Sequence, residues 1–267
     1  TLANGVFSNH DASLAYYQSP LLDSIAVVFM VLGGTHFALP FLVWQSRSLR
    51  NYLHDPEFRA DLVIRAAISA FVIAYLYLSG YYSSLQEAGL QGVFHVVSIM
   101  TSTGFGRDDF SAWPGALPVL LVFSMFIGGC GGSTSGGMKV MRWLLLYRQG
   151  AREVVRLVHP AAEIPVRLGE TVVPQRVVDA VWGFFAIYVV LFGAMMLILL
   201  ATGVDQVTAF SAIATCLNNV GPGLGAISSN FAGMKDPDKW VCVLAMLLGR
   251  LEIFTLFVLI SPAFWRR

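Results

Sequence analysis

The sequence predicts an all-α membrane protein built from tandem units of membrane helix, short re-entrant helix, polar turn and membrane helix. Three observations carry that expectation: a composition unsuited to water, apolar stretches of two distinct lengths, and the recurrence of both in one order. The 267 residues are 56 % hydrophobic and only 12 % charged, where a soluble domain carries about 25 % charged residues. The bilayer is therefore the expected solvent, and disordered, nucleic-acid-binding and secreted disulfide classes are excluded. Cys130, Cys216 and Cys242 are odd in number and far apart, which makes them small apolar residues and no disulfide framework. The net charge of +1 carries no partner signal.

A hydrocarbon core of about 30 Å needs roughly 20 helical residues. Residues 21 to 45, 62 to 83, 178 to 202 and 240 to 263 meet that length. Residues 114 to 147 are longer but hold GGCGGSTSGG at 128–137, where each glycine costs a helix about 1 kcal/mol, so a broken membrane helix is expected. Residues 90 to 100 and 206 to 217 reach only about 16 to 18 Å as helices and must enter and turn back. Arg47, Arg50, Arg59 and Arg65 flank one connection, Lys139, Arg142, Arg148, Arg152, Arg156, Arg167 and Arg176 crowd another, and Arg266 and Arg267 end the chain. Those ends are cytoplasmic by the positive-inside rule. The opposite loops hold Arg107, Lys235 and Lys239 against Glu87, Asp108, Asp109, Asp205, Asp236 and Asp238, a mildly acidic side that is either a cation-attracting vestibule or plain solvated surface.

Residues 62 to 147 and 178 to 263 show the same order of long span, short helix, glycine-bearing turn and long span, while the first 45 residues supply only the last two parts. The turns are TLANGVF at 1–7, TSTGFGR at 101–107 and CLNNVGPGLG at 216–225. Each sets small or polar residues before a glycine: Leu2, Ala3, Asn4 and Gly5; Thr101, Ser102, Thr103 and Gly104; Asn218, Asn219, Val220 and Gly221. Non-helical backbone at membrane depth survives only where it is buried in protein or lines water. One such turn more often marks helix packing; three at equivalent places imply a shared pore. A dehydrated alkali cation trades its water shell for inward-facing carbonyls, and glycine permits the backbone angles that aim them. A short helix ending at the turn points its negative dipole end at the ion.

These turns, together with GGCGGSTSGGMKV and the ending GRLEIFTLFVLISPAFW, resemble the Trk/Ktr/HKT superfamily of potassium transporters, most closely its bacterial TrkH-type uptake subunits. The resemblance implies four tandem repeats around a pseudo-fourfold pore with one filter glycine each. By it the chain is N-terminally truncated: residues 1–45 end the second repeat, 46–150 form the third with a broken second helix, and 151–267 form the fourth behind a basic cytoplasmic segment. Three quarters of a filter cannot close a ring, so this chain alone should not conduct. The resemblance also implies a transported potassium ion bound at the filter residues only, no cofactor and no catalytic residue. It further implies a bacterial inner-membrane location, a cytosolic nucleotide-binding partner of TrkA type, and a homodimer in the complete protein.

The same resemblance makes Gly128, Gly129, Cys130, Gly131, Gly132, Ser133, Thr134, Ser135, Gly136 and Gly137 an intramembrane loop that obstructs the pore below the filter and moves on opening. Close helix packing of small residues is the alternative reading of such a run. Arg250 lies about 15 Å down a span that enters from outside, where facing lipid costs at least about 2.5 to 3.5 kcal/mol. It should face the pore or a buried partner, placed by the resemblance beside the loop. Glu252 lies on another face of the helix and is a poor mate for it. His36 and His95 show no ligand spacing and are expected to be hydrogen-bonded interior histidines. Two rival classes are a secondary cation-coupled transporter with discontinuous helices and an intramembrane serine hydrolase using Ser133 or Ser135 with His36 or His95, for which nothing fixes a base near either serine.

Overall fold

The computed structural model describes residues 13–48, 50–169, 171–228 and 230–266, so Leu2, Ala3, Asn4 and Gly5 lie outside the described residues. Helix α1 (Pro20–Gly34) opens with Pro20 and with the Ser19 hydroxyl accepting the Leu22 N–H. It is followed by α2 (Ala38–Ser46), α3 (Arg50–His54) and the long α4 (Pro56–Leu78), whose first turn is capped by Asp55 receiving the Phe58 N–H at 2.7 Å. Helix α5 (Leu85–Met100), capped by Ser84, carries the chain into the interior, and α6 (Leu117–Met125) starts a second descent. After the glycine-rich stretch comes α7 (Val140–Val158), then an antiparallel hairpin pairing Arg167–Leu168 with Thr171–Val172, and the long α8 (Gln175–Ala201). Helices α9 (Gln206–Leu217), α10 (Asp236–Arg250), α11 (Phe254–Ile260) and α12 (Pro262–Trp265) complete the chain.

The short helices are the interior of the molecule. Helix α5 packs against α1, α4 and α6, and α9 packs against α6, α8 and α10. Nearly every residue of α9 from Thr208 onward is buried, as is α5 from Phe94. One apolar cluster joins Phe184, Leu199, Ile213, Leu217 and Leu248 around α9, and a second joins Val72, Leu76, Ile99, Leu117 and Leu121 around α5. A helix buried on all sides can be apolar all round, which is why these segments lack the one-sided pattern of a surface helix.

Only α4 and α8 are long and apolar enough, among the described residues, to cross a bilayer unbroken. The stretch at 114–147 is interrupted between α6 and α7, as its glycines predict. Two spans expected to be continuous are instead bent: α1 meets α2 at 99°, and α10 meets α11 at 103°. At the first bend Gly33 and Gly34 weaken the helix, and Thr35 turns extended while its hydroxyl donates to Leu32 O at 2.7 Å. At the second, Glu252 adopts φ +53 and Ile253 φ +49. The Ile253 N–H returns to Leu248 O at 2.9 Å and the Glu252 N–H to Gly249 O at 3.3 Å, a Schellman stop. The first re-entrant helix begins at Leu85 rather than 90, because Ser84 supplies its cap. The hairpin at 167–172 is a small departure from an all-α reading.

Asp205 caps α9 by accepting the Thr208 N–H at 3.0 Å, and its bonds from the Thr208 hydroxyl and N–H hold its carboxyl below the ordinary aspartate range. Such stabilisation is present above the unfolded-state pKa and is lost as pH falls through the depressed folded value. Asp205→Ala should cost about 0.5 kcal/mol, the low end for an exposed cap. Asp205→Asn should keep the cap and remove its acid sensitivity, both read from thermal melts of detergent-solubilised protein.

Candidate functional site

Helices α5 and α9 end in one way. The Ser102 N–H donates to Ile99 O and the Thr103 N–H to Ser98 O, at 3.0 and 2.9 Å. The Asn219 N–H donates to Cys216 O and the Val220 N–H to Thr215 O, at 3.1 and 3.0 Å. Both are Schellman stops, and the residue each needs in the left-handed region is Ser102 at φ +53 and Asn219 at φ +54. A serine there is strained. A second positive φ follows two residues later, at Gly104 (+74) and Gly221 (+113). Gly104 N–H also returns to Ser98 O at 3.1 Å, whereas Gly221 N–H uses the Thr215 hydroxyl at 2.8 Å. The amides of both turns thus point back to their own helix, so Thr101–Gly104 and Asn218–Gly221 run non-helically with their N–H groups already engaged. Asn218 is further fixed by accepting the Tyr188 hydroxyl at 2.8 Å and donating to Ala214 O at 2.7 Å.

Beneath these turns lies the loop of residues 128–137, and it touches all three parts of the chain. Cys130 N–H donates to Gly34 O at 3.0 Å, and the Thr134 hydroxyl donates to Gly33 O at 3.1 Å, which occupies carbonyls freed by the α1 bend. Glu57 of α4 accepts the Gly131 N–H at 2.6 Å. The Cα of Gly136 lies so near the Asn218–Gly221 turn that a Cβ would sit 2.0 Å from Asn218 O. Gly249, at the end of α10, is pressed in the same way against Leu217 O. Arg250 Nη1 donates to Thr134 O at 3.0 Å, and Lys139 Nζ donates to Ser133 O at 3.3 Å and to Ser135 O. Three successive carbonyls of the loop therefore face cationic side chains.

Several charges sit elsewhere than loop counting places them. Arg65 and Lys139, expected at cytoplasmic ends, are buried: Arg65 pairs with Asp61 at 2.9 Å inside α4, and Lys139 closes the loop. Asp238, expected on the acidic outer side, is buried in the first turn of α10, where the helix dipole favours a carboxylate. Arg107 pairs with Asp23. Glu252 pairs with Arg142 at 2.5 Å and leaves Arg250 to the loop. His95 is buried between Gln91 O and Asp108 O at 3.0 Å each, an interior histidine as expected. Ser133 donates its hydroxyl to Cys130 O. Sequence reasoning missed Glu57, Asp61 and the two bends. The bends alone carried a signal: MVLGG at 30–34, MFIGG at 125–129 and MLLGR at 246–250 mark one break three times.

Two buried helices that turn back at equivalent stops, each followed by a descent that breaks at the same motif, define a polytopic membrane protein with tandem re-entrant pore repeats. The chain belongs to the TrkH family of cation transport proteins, whose family model matches residues 1–267. A Trk system potassium uptake protein TrkH from Halomonas elongata is 49 % identical over 268 residues, covering 100 % of this chain and 55 % of that protein. Its namesake from Escherichia coli K12 is 46 % identical over 266 residues, with the same shares covered. The crystal structure of the potassium transporter TrkH from Vibrio parahaemolyticus superposes with a TM-score of 0.94 at 49 % identity, over 99 % of this chain and 57 % of that one. The chain spans about half the length of the curated relatives it matches.

The contacts separate the loop glycines. Gly136→Ala drives a Cβ into the Asn218 carbonyl and should lower stability by about 1 to 3 kcal/mol. At Gly131 the nearest atoms to a Cβ are the Glu57 carboxylate oxygens at 3.6 and 3.7 Å, so Gly131→Ala should melt within about 0.5 kcal/mol of the parent. Thermal melts of the two variants side by side check the contrast.

Proposed function

We propose that the complete protein takes up potassium across the bacterial inner membrane through a filter of carbonyls contributed by the glycine-bearing turns. The observation that carries this reading is the congruence of Thr101–Gly104 with Asn218–Gly221: with their amides bound back to the pore helix, the remaining backbone polar groups of the turn are carbonyls, the ligands an alkali cation needs. The potassium uptake named for the relatives agrees with it. Leu2, Ala3, Asn4 and Gly5 complete a third turn in this reading, and a first repeat the fourth. A cytosolic nucleotide-binding subunit of TrkA type docks on the basic segment around α7, and the complete protein is a homodimer.

Residues 128–137 with Arg250 form the gate. A cation leaving the filter meets a fixed positive charge and a loop held across its path, and both are joined by the bond from Arg250 to Thr134 O.

In the complete protein, Gly104→Ser should relax discrimination between potassium and sodium, because a side chain at φ +74 disfavours the backbone that aims the carbonyl. Rubidium uptake in competition with sodium measures it, and an unchanged profile would remove Gly104 from the filter. Arg250→Ala should raise unregulated potassium flux into liposomes and leave the order of cation preference intact. Deleting residues 131–136 should act alike, and the double change should add little because both break one interaction. Fully additive gains, or a loss of flux in folded Arg250→Ala protein, would make the arginine a structural strut.

A further inference from the structure

Glu57 performs two tasks with one atom. It is only 3 % exposed, and its Oε1 accepts the N–H of Gly131 at 2.6 Å and the N–H of Met141 at 3.1 Å. Met141 lies in the first turn of α7, where N–H groups have no partner within the helix. The residue preceding α7, Lys139, offers no side-chain acceptor and sits at φ +72. In α1, α4, α5 and α9 a local serine or aspartate fills that role. In α7 the acceptor comes from another helix and is a carboxylate, which also meets the positive end of the α7 dipole.

The same oxygen holds Gly131, so the intramembrane loop hangs from Glu57 at both of its shoulders. The helix behind it is itself braced. One turn on, Asp61 pairs with Arg65, and the guanidinium of Arg65 lies so close to Gly34 that a Cβ there would sit 2.9 Å from Nη2. Between the shoulders, the tip is held by the Arg250 bond to Thr134 O, the Thr134 hydroxyl to Gly33 O, and Lys139, which belongs to the loop's own end.

We propose that Glu57 is the positioning residue that latches this loop across the pore: its bond to Met141 fixes the start of α7 as a hinge, and its bond to Gly131 is the one that breaks when the loop withdraws. The proposal rests on the reading of the loop as the gate and names what holds that gate shut. Glu57 touches no ion and acts only through the backbone of the loop.

The test uses the complete protein in liposomes, with rubidium flux as one readout. Glu57→Ala should raise unregulated flux roughly tenfold, the scale of a lost hydrogen bond to a charged group. Glu57→Gln keeps an acceptor oxygen without the charge and should fall between it and the parent, with the order of cation preference unchanged in both. The second readout is the rate at which a small methanethiosulfonate reagent modifies Cys130, which is buried beside Gly131; a Cys130→Ser control identifies its share. That rate should rise in the same order, parent, Gln, Ala. If Arg250→Ala raises flux while both Glu57 variants match the parent in flux and Cys130 reactivity, the latch is overturned and the gate stands. If Cys130 reactivity rises but neither Glu57→Ala nor Arg250→Ala raises flux, the gate reading falls and the latch with it. Should Glu57→Ala not fold, Glu57→Gln decides: parental values in both readouts overturn the proposal.

Discussion

Backbone groups that leave a helix within an apolar interior must find partners inside the protein, and this structure is organised around how each break meets that demand. The turns that follow α5 and α9 meet it locally. Ser98 O and Thr215 O take back the amides of the turns that follow them, so each turn is folded by its own helix. The loop of residues 128–137 meets it remotely, through Gly33 and Gly34 of α1, Glu57 of α4 and Arg250 of α10. Two kinds of irregular backbone thus lie side by side, one closed by neighbours in sequence and the other by neighbours in space.

That difference bears on where several of the charges lie, some buried and some exposed. A buried ion pair is weak evidence of stability, yet breaking one leaves an uncompensated charge and costs several kcal/mol. Here several charges, buried or not, stand at the breaks. Asp61 and Arg65 stand behind the α1 bend, Arg142 and Glu252 at the α10 bend, and Lys139 and Arg250 on the loop carbonyls. Cations directed at carbonyls stranded by a broken helix do what a helix C-terminus otherwise asks of lysine or arginine in its last turn. They fasten elements that apolar packing alone leaves free to slide, because lipid and protein interior are equally apolar.

Much of this could be read from the residues. The re-entrant helices follow from the length of 206–217 and from Asp205, and the interruption at 128–137 follows from its glycines. The bends at Thr35 and Ile253 did not show in hydropathy because both flanks are apolar; a window averages across a turn of three residues. Arg65 and Lys139 were placed at cytoplasmic ends because loop counting treats every basic residue near a span as solvated, and burial depends on an acceptor contributed by tertiary structure. Glu57 was invisible for the same reason: a glutamate one residue into a helix is an ordinary first-turn residue, and nothing in its neighbourhood announces that its oxygen serves a helix more than eighty residues away.

The turns Thr101–Gly104 and Asn218–Gly221 are the same fold written in different residues. Thr101 corresponds to Asn218, Ser102 to Asn219, Thr103 to Val220 and Ser98 to Thr215, and only the glycine stays. In a pore assembled from identical chains, one substitution changes every wall at once. Where the walls are successive stretches of a single polypeptide, each drifts separately, and a change in one leaves its counterparts intact. The Thr215 hydroxyl that receives Gly221 where Ser98 O receives Gly104 is such a drift. Two turns inherited this way can come to differ in detail, and either can change while the other keeps its form.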